Sequence, residues 1–444
     1  MNQIKENEGL DLKALFLFSL PSIFASMLEP LSGVVDTALV GKLSTEWLGA
    51  MGIGLIIMSS FTWMFNFLVH ASTQSVSSAF GQENEQKVVS KIKISLILSF
   101  TLGLGSALFL YFIRVPLYPF AGATEKIIPF VDEYFLIRLI GHPFTLLYTT
   151  ALSLLRGLGR VKDGFYIVGL TTLTNIVVSW LLLYPFDLGL KGAAIGTVLA
   201  NIMGFAICLF LLFRVKFIRE HFLRVRAERE GWLSFGKNSF NLFVRSFCLT
   251  SSFFICTKIA GSLGVESLAA HQILLQAWLF SSFFIDGVAI TANVKGANYM
   301  AKKDFRSFNI LSMRLLHMGG LIGLCFSIIY FFFDSSIQAL FTNDPLVIKE
   351  LIKIWPLIAL SQFIASVAYV YDGILFGLGA FMFIRKHMLI GVFLVFLPLI
   401  CIIFLFNHLI VVWIALCGLL LYRGASGYVK TREVVGAHYG KFGL

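Results

Sequence analysis

The apolar residues of this chain arrive in blocks of about twenty, enough to carry an α-helix across roughly 30 Å of hydrocarbon. The run MLIGVFLVFLPLICIIFLF, from Met388 to Phe406, is one example. A membrane core offers no water to backbone amides, so only helices or closed barrels cross it. Barrel strands would alternate apolar and polar residues; these blocks are evenly apolar, and helices follow. The chain is 58% hydrophobic and 13% charged. A soluble domain carries about 25% charge, so the polar surface a soluble protein of this size requires is missing.

The blocks place twelve spans at 14–40, 48–72, 92–113, 127–155, 164–184, 192–213, 238–260, 268–294, 309–333, 348–376, 387–406 and 408–423. The loops alternate in charge. Lys87, Lys91 and Lys93 fall on one side, with Arg156, Arg160 and Lys162, then the basic stretch from Arg214 to Lys237, and then Lys302, Lys303 and Arg306. The opposite loops are short and poor in Lys and Arg. The positive-inside rule then puts both termini in the cytoplasm, which an even number of spans requires. A net charge of +11 does not signal nucleic acid, because the basic residues sit in short loops rather than on one folded face. The N-terminal apolar run reads as a retained first helix rather than a cleaved leader.

The chain also repeats itself. At an offset of 220 residues, VGKLSTEWLGA (40–50) lies against AGSLGVESLAA (260–270), and LLRGLG (154–159) against ILFGLG (374–379). The expected fold is therefore all-α and polytopic, with twelve transmembrane helices in two pseudo-symmetric six-helix lobes. Residues 1–213 form the first lobe, 214–237 a basic cytoplasmic linker on the anionic inner leaflet, 238–425 the second lobe, and 426–444 a tail with no fold assigned. Both halves begin inside, so the repeats are parallel, related by an axis along the membrane normal. Two lobes around a cleft suit alternating access.

Ionisable groups at membrane depth mark functional sites or interhelical hydrogen bonds. The acids clear of helix ends are Glu29, Asp36, Asp286 and Asp372. Glu29 and Asp36 are seven residues apart, two helical turns, and share a face. Pro30 between them removes a helical donor and is expected to bend the helix. A carboxylate in such a place is able to exchange a proton or trade it for a cation. Asn175, Ser179 and Thr197 supply polar groups on the fifth and sixth helices, either as interhelical glue or as a cavity wall, and Tyr134 with Arg138 forms an i,i+4 pair on the fourth. His271 has no ligand partner in sequence and reads as an interhelical or cavity residue. The six cysteines stand singly and read as small buried hydrophobes. Walker A, HExxH and GxSxG patterns are absent, so neither a primary pump nor an enzyme is indicated, and no cofactor or metal.

The run LEPLSGVVDTALVGKLSTEWLGA resembles the first-helix signature of the multidrug and toxic compound extrusion transporters, nearest to the branch of the DNA-damage-inducible protein F. FGQENEQK, TNIVVSWLL, LGLKGAAIGTVLAN, GVESLAAHQI, DGVAITANVKGA and YDGILFGLG follow in order over roughly residues 16 to 425. The resemblance implies a multi-pass protein of the cell membrane, expected as a monomer. Its function would be export of amphipathic or cationic organic compounds by cation-coupled antiport, with H+, or alternatively Na+, as the coupling ion. Asp36 matches the branch's coupling aspartate, with Glu29, Tyr134, Asn175 and Thr197 at its first-lobe site. Ser179 departs from relatives that carry an aspartate there. Asp286, Asp372 and His271 are the second-lobe candidates, where another branch places its cation site. The alternative function is a flippase for lipid-linked oligosaccharide or lipid; the scarcity of intramembrane arginines and of extra helices weighs against it.

Overall fold

The computed structural model describes residues 10–227 and 229–439. Among these, twelve helices are long and apolar enough to span a membrane. They are α1 (Leu12–Gly41), α2 (Thr45–Gly81), α3 (Glu85–Phe120), α4 (Ile128–Gly157), α5 (Val161–Leu183) and α6 (Gly189–Phe213), then α7 (Arg229–Ser262), α8 (Val265–Ala301), α9 (Phe305–Phe332), α10 (Pro345–Gly377), α11 (Phe381–Phe406) and α12 (Leu409–Ala437). Most run past the hydropathy blocks, and some of them start at a polar cap. Asn84 accepts from the Lys87 amide at 2.9 Å, Asp304 from Ser307 at 3.0 Å and Asp344 from Leu346 at 2.8 Å. Each such cap satisfies an amide that the first helical turn leaves open. The helix of α12 itself continues to Tyr439, past the expected end of the span at 423 and into the tail from 426 that has no fold assigned by sequence.

Two spans are interrupted. The helix of α2 stops at Met64 and resumes at Phe67. That of α11 passes through a π-helical turn, Gly391–Phe396, just before Pro398, whose missing N–H cannot close an ordinary helical bond. By contrast α1 is one continuous helix through Pro21 and Pro30.

The 220-residue repeat is written in the backbone. Glu83 and Lys303 have φ of 55° and 60°, Asp187 and Asn407 of 51° and 43°, and Gly159 and Gly379 of 79° and 67°. A left-handed conformation is costly for residues with a Cβ, so its recurrence at one spacing shows that equivalent turns end equivalent helices. The linker differs from its expected extent. A short helix, Lys216–His221, follows α6, and residues 229–237 already belong to α7. Lys93 anchors the segment by donating to the Val225 carbonyl at 2.7 Å and lying over the Phe222 ring.

The chain divides into two compact units, Phe24–Ser239 and Phe240–Leu444 with Met1–Ile23. In the first, α4 is central, packed on α2, α3 and α6; in the second, α10 holds that place, packed on α8, α9 and α12. The described start of α1 thus groups with the second half of the sequence, unlike the division at residue 213. Leu10 and Leu15 join an apolar cluster with Leu311, Leu315 and Ile374. Ser19 Oγ lies 2.7 Å from Thr291 Oγ1, and Ile23 fits so tightly against Gly287 that a Cβ there would come within 2.4 Å of it. Many large apolar side chains face outward, Phe404 at 87% exposure among them, as lipid-facing residues do.

Candidate functional site

Within the first unit, α1, α4, α5 and α6 bring one polar cluster together. Asp36 of α1 is 6% exposed. Its Oδ2 accepts from Asn175 Nδ2 and from Thr197 Oγ1, each at 3.3 Å, and Asn175 Nδ2 also reaches Thr197 Oγ1 at 3.1 Å. The approach of α5 to α6 depends on Gly196, where a Cβ would sit 2.3 Å from Ser179 Oγ. Ser179 adjoins Asp36, yet its hydroxyl has no hydrogen-bond partner of normal geometry, and neither have Asp36 Oδ1 and Asn175 Oδ1. Three buried oxygens are left over in one place, which is uncommon. Tyr134, buried against Gly54 of α2, and Arg138 one turn on both lie within electrostatic reach of Asp36.

Glu29 stands apart. It is exposed, and the charged or polar groups acting on it or acted on by it are Arg156 and Tyr148, not the Asp36 cluster. Seven residues along one helix are about 10 Å, and the shared face does not make them one site. Interhelical bonds fill the surroundings: Asn201 Nδ2 to Thr145 Oγ1 at 2.8 Å, and Thr172 Oγ1 to the Leu28 carbonyl at 3.5 Å. His142, fully buried near Arg138 with neither ring nitrogen partnered, was not singled out from sequence. A histidine inside an apolar block was the available signal.

The second unit is arranged otherwise. Asp372 of α10 is buried and pairs through Oδ2 with two arginines, Arg245 of α7 and, at 2.5 Å, Arg423 of α12. Arg423 escaped notice because the sequence seemed to end α12 there; in the longer helix it is an interior residue. Asp286 is exposed on α8, within electrostatic reach of Tyr369. His271 is fully buried, its Nε2 3.3 Å from Thr257 Oγ1 and its ring against Trp413, with Nδ1 unpartnered. Among the described residues, no group of three or more His, Cys, Asp or Glu side chains is placed to hold a metal.

Comparison with known proteins agrees with this architecture. The MatE family model matches residues 21–181 and 242–402, once per repeat. DNA damage-inducible protein F of Escherichia coli K12 is 24% identical, over 93% of this chain and 90% of its own. A probable multidrug resistance protein NorM of Photorhabdus laumondii is 26% identical, over 88% and 87%. Protein DETOXIFICATION 43 of Arabidopsis thaliana is 26% identical, over 92% and 88%. The crystal structure of the Vibrio cholerae MATE transporter VcmN in the bent form superposes with a TM-score of 0.89 at 18% identity, covering 98% of both chains.

Proposed function

The chain belongs to the MatE family, transporters that move small organic compounds by alternating access and are not enzymes, and from that premise we propose that Asp36 couples export to a proton gradient. The supporting observation is the pairing at this carboxylate: one oxygen holds two donors while the other is buried without any. A proton on Oδ1 turns that orphan acceptor into a donor beside two further orphan acceptors, Asn175 Oδ1 and Ser179 Oγ. Loading removes a buried charge, and unloading restores it to attract a cationic substrate. Coupling requires the two events to exclude one another, since a proton carried regardless of substrate is a leak. Tyr134 and Arg138 set the field around the carboxylate, and Glu29 of the same helix, with Arg156 of α4, forms a separate polar station.

A second reading has an observation of its own. Three leftover oxygens also begin a shell for Na+. Hard cations of this kind take about six oxygen ligands, and the Asn175 amide and Thr197 hydroxyl present hydrogens, not lone pairs, to Asp36. We therefore favour the proton. We further infer that the moving lobes are residues 1–213 and 238–425 except for the start of α1, which groups with the second half, that both termini are cytoplasmic, and that the working unit is a monomer in the cell membrane.

The test is pH-gradient-driven transport of a cationic dye by the purified protein in sodium-free liposomes. The expected result is transport by the parent and none by D36N, a nearly isosteric change that spares the packing. Strict sodium dependence would replace the proton with Na+. Parental transport by D36N, with D286N or D372N inactive, would move coupling to the second half.

A further inference from the structure

Arg245 and Arg423 spend very little of their hydrogen-bonding capacity on Asp372. Each gives one terminal NH2 to the same carboxylate oxygen, although a guanidinium carries five N–H donors in a planar fork. The Nε of both is buried and has no partner, and Arg423 as a whole is 6% exposed. The planes are held in place by aromatic faces: Arg245 lies 5.3 Å from the Phe376 ring centroid and Arg423 5.5 Å from that of Tyr369.

Buried donors without acceptors are unfavourable and uncommon in native structures. Two such forks converging on one oxygen form a site with more donors than Asp372 supplies acceptors. A carboxylate has the matching geometry, with two oxygens that take a fork through parallel bonds. Asp372 offsets part of the guanidinium charge, so the attraction lies mainly in unfilled hydrogen-bond geometry. We propose that Arg245 and Arg423 form a carboxylate-binding site at membrane depth in the second half, taking the head group of an amphipathic organic acid in competition with Asp372. The transported compounds then include organic anions, a class that the Asp36 cluster does not recognise.

The test is equilibrium binding of radiolabelled 2-naphthoate to the full chain in lipid nanodiscs, with tetraphenylphosphonium as the cationic control. Naphthoate should bind, and R245Q and R423Q should each weaken it by about tenfold or more while leaving the cation unaffected. D372N, which removes the competing charge and leaves a weaker acceptor, should tighten it by about tenfold. D36N should not change it, so failure of this site and failure of the coupling assignment are read separately. Absence of naphthoate binding in the parent overturns the proposal, as does parental affinity in both arginine variants. Displacement by chloride at concentrations equal to naphthoate overturns it too, showing a small inorganic ion as the occupant. Should the glutamine variants not fold, R245K and R423K retain the charge without the fork; parental affinity in both would defeat the fork geometry.

Discussion

The two halves keep the same turns and exchange almost none of their chemistry. At the 220-residue offset three pairs of left-handed residues coincide, and so does one pair of close glycines: Gly157 lies against the Thr73 carbonyl and Gly377, its counterpart, against that of Ala292. The polar cluster does not coincide. Asp36, Tyr134, Asn175, Ser179 and Thr197 correspond to Cys256, Ile354, Val395, Leu399 and Cys417. In the other direction Arg245, Asp372 and Arg423 correspond to Ala25, Leu152 and Met203. Every member of each cluster has an uncharged and mostly apolar counterpart. The repeat therefore preserves what holds helices together, while each half carries its own buried charge. Such charge is costly in a membrane and persists where it is used.

The sharpest way to break this comparison is to move the carboxylate across it. In the D36N background, C256D places an acid at the equivalent position, without the donors of α5 and α6. Gradient-driven transport should stay at least about a hundredfold below the parent; recovery would show that the halves are interchangeable. The shared glycines should behave alike instead. A Cβ at Gly157 would come 2.9 Å from Thr73 O, and one at Gly377 2.7 Å from Ala292 O. G157A and G377A should each cost about 1–3 kcal/mol, read as a lowered melting temperature in detergent, and G33A, with nothing within 4 Å, should not. A large difference between the first two would end the claim of equivalent packing. The smallest effect is expected inside the first cluster. N175A removes the amide that bonds both Asp36 and Thr197 and should slow transport about fivefold. S179A, at a hydroxyl that adjoins Asp36 without a hydrogen bond of normal geometry, should stay within about twofold. The reverse order would give Ser179 the larger part.

Much of the fold was legible because a membrane leaves the chain few choices. Blocks of apolar residues marked twelve helices, and LLRGLG against ILFGLG marked the repeat. The helix ends were less legible: hydropathy sees lipid contact and is blind to caps such as Asn84 and Asp304. That cost the reading Arg423, an interior residue taken for a terminal one. The site was readable in part. Asp36, Asn175, Thr197, Tyr134 and Ser179 were chosen as polar groups in apolar helices, and they converge. Glu29 was grouped with Asp36 by helical phase, which gives direction around an axis but not which neighbouring helix meets it.

Sequence alone determined the number of spans and the repeat and picked out Asp36 and Asp372 among the buried acids, because each follows from transfer out of water or from spacing along one chain. Tertiary structure alone decided the partners: that Asp36 receives an amide and a hydroxyl, that Asp372 is held by two arginines, and that the start of α1 packs with the second half. The partners of Asp36 lie 139 and 161 residues away, and those of Asp372 lie 127 and 51 away. Pairing over such separations depends on which helix faces pack. Local periodicity carries no record of that choice, which separates a carboxylate with one unpartnered oxygen from one held by two arginines.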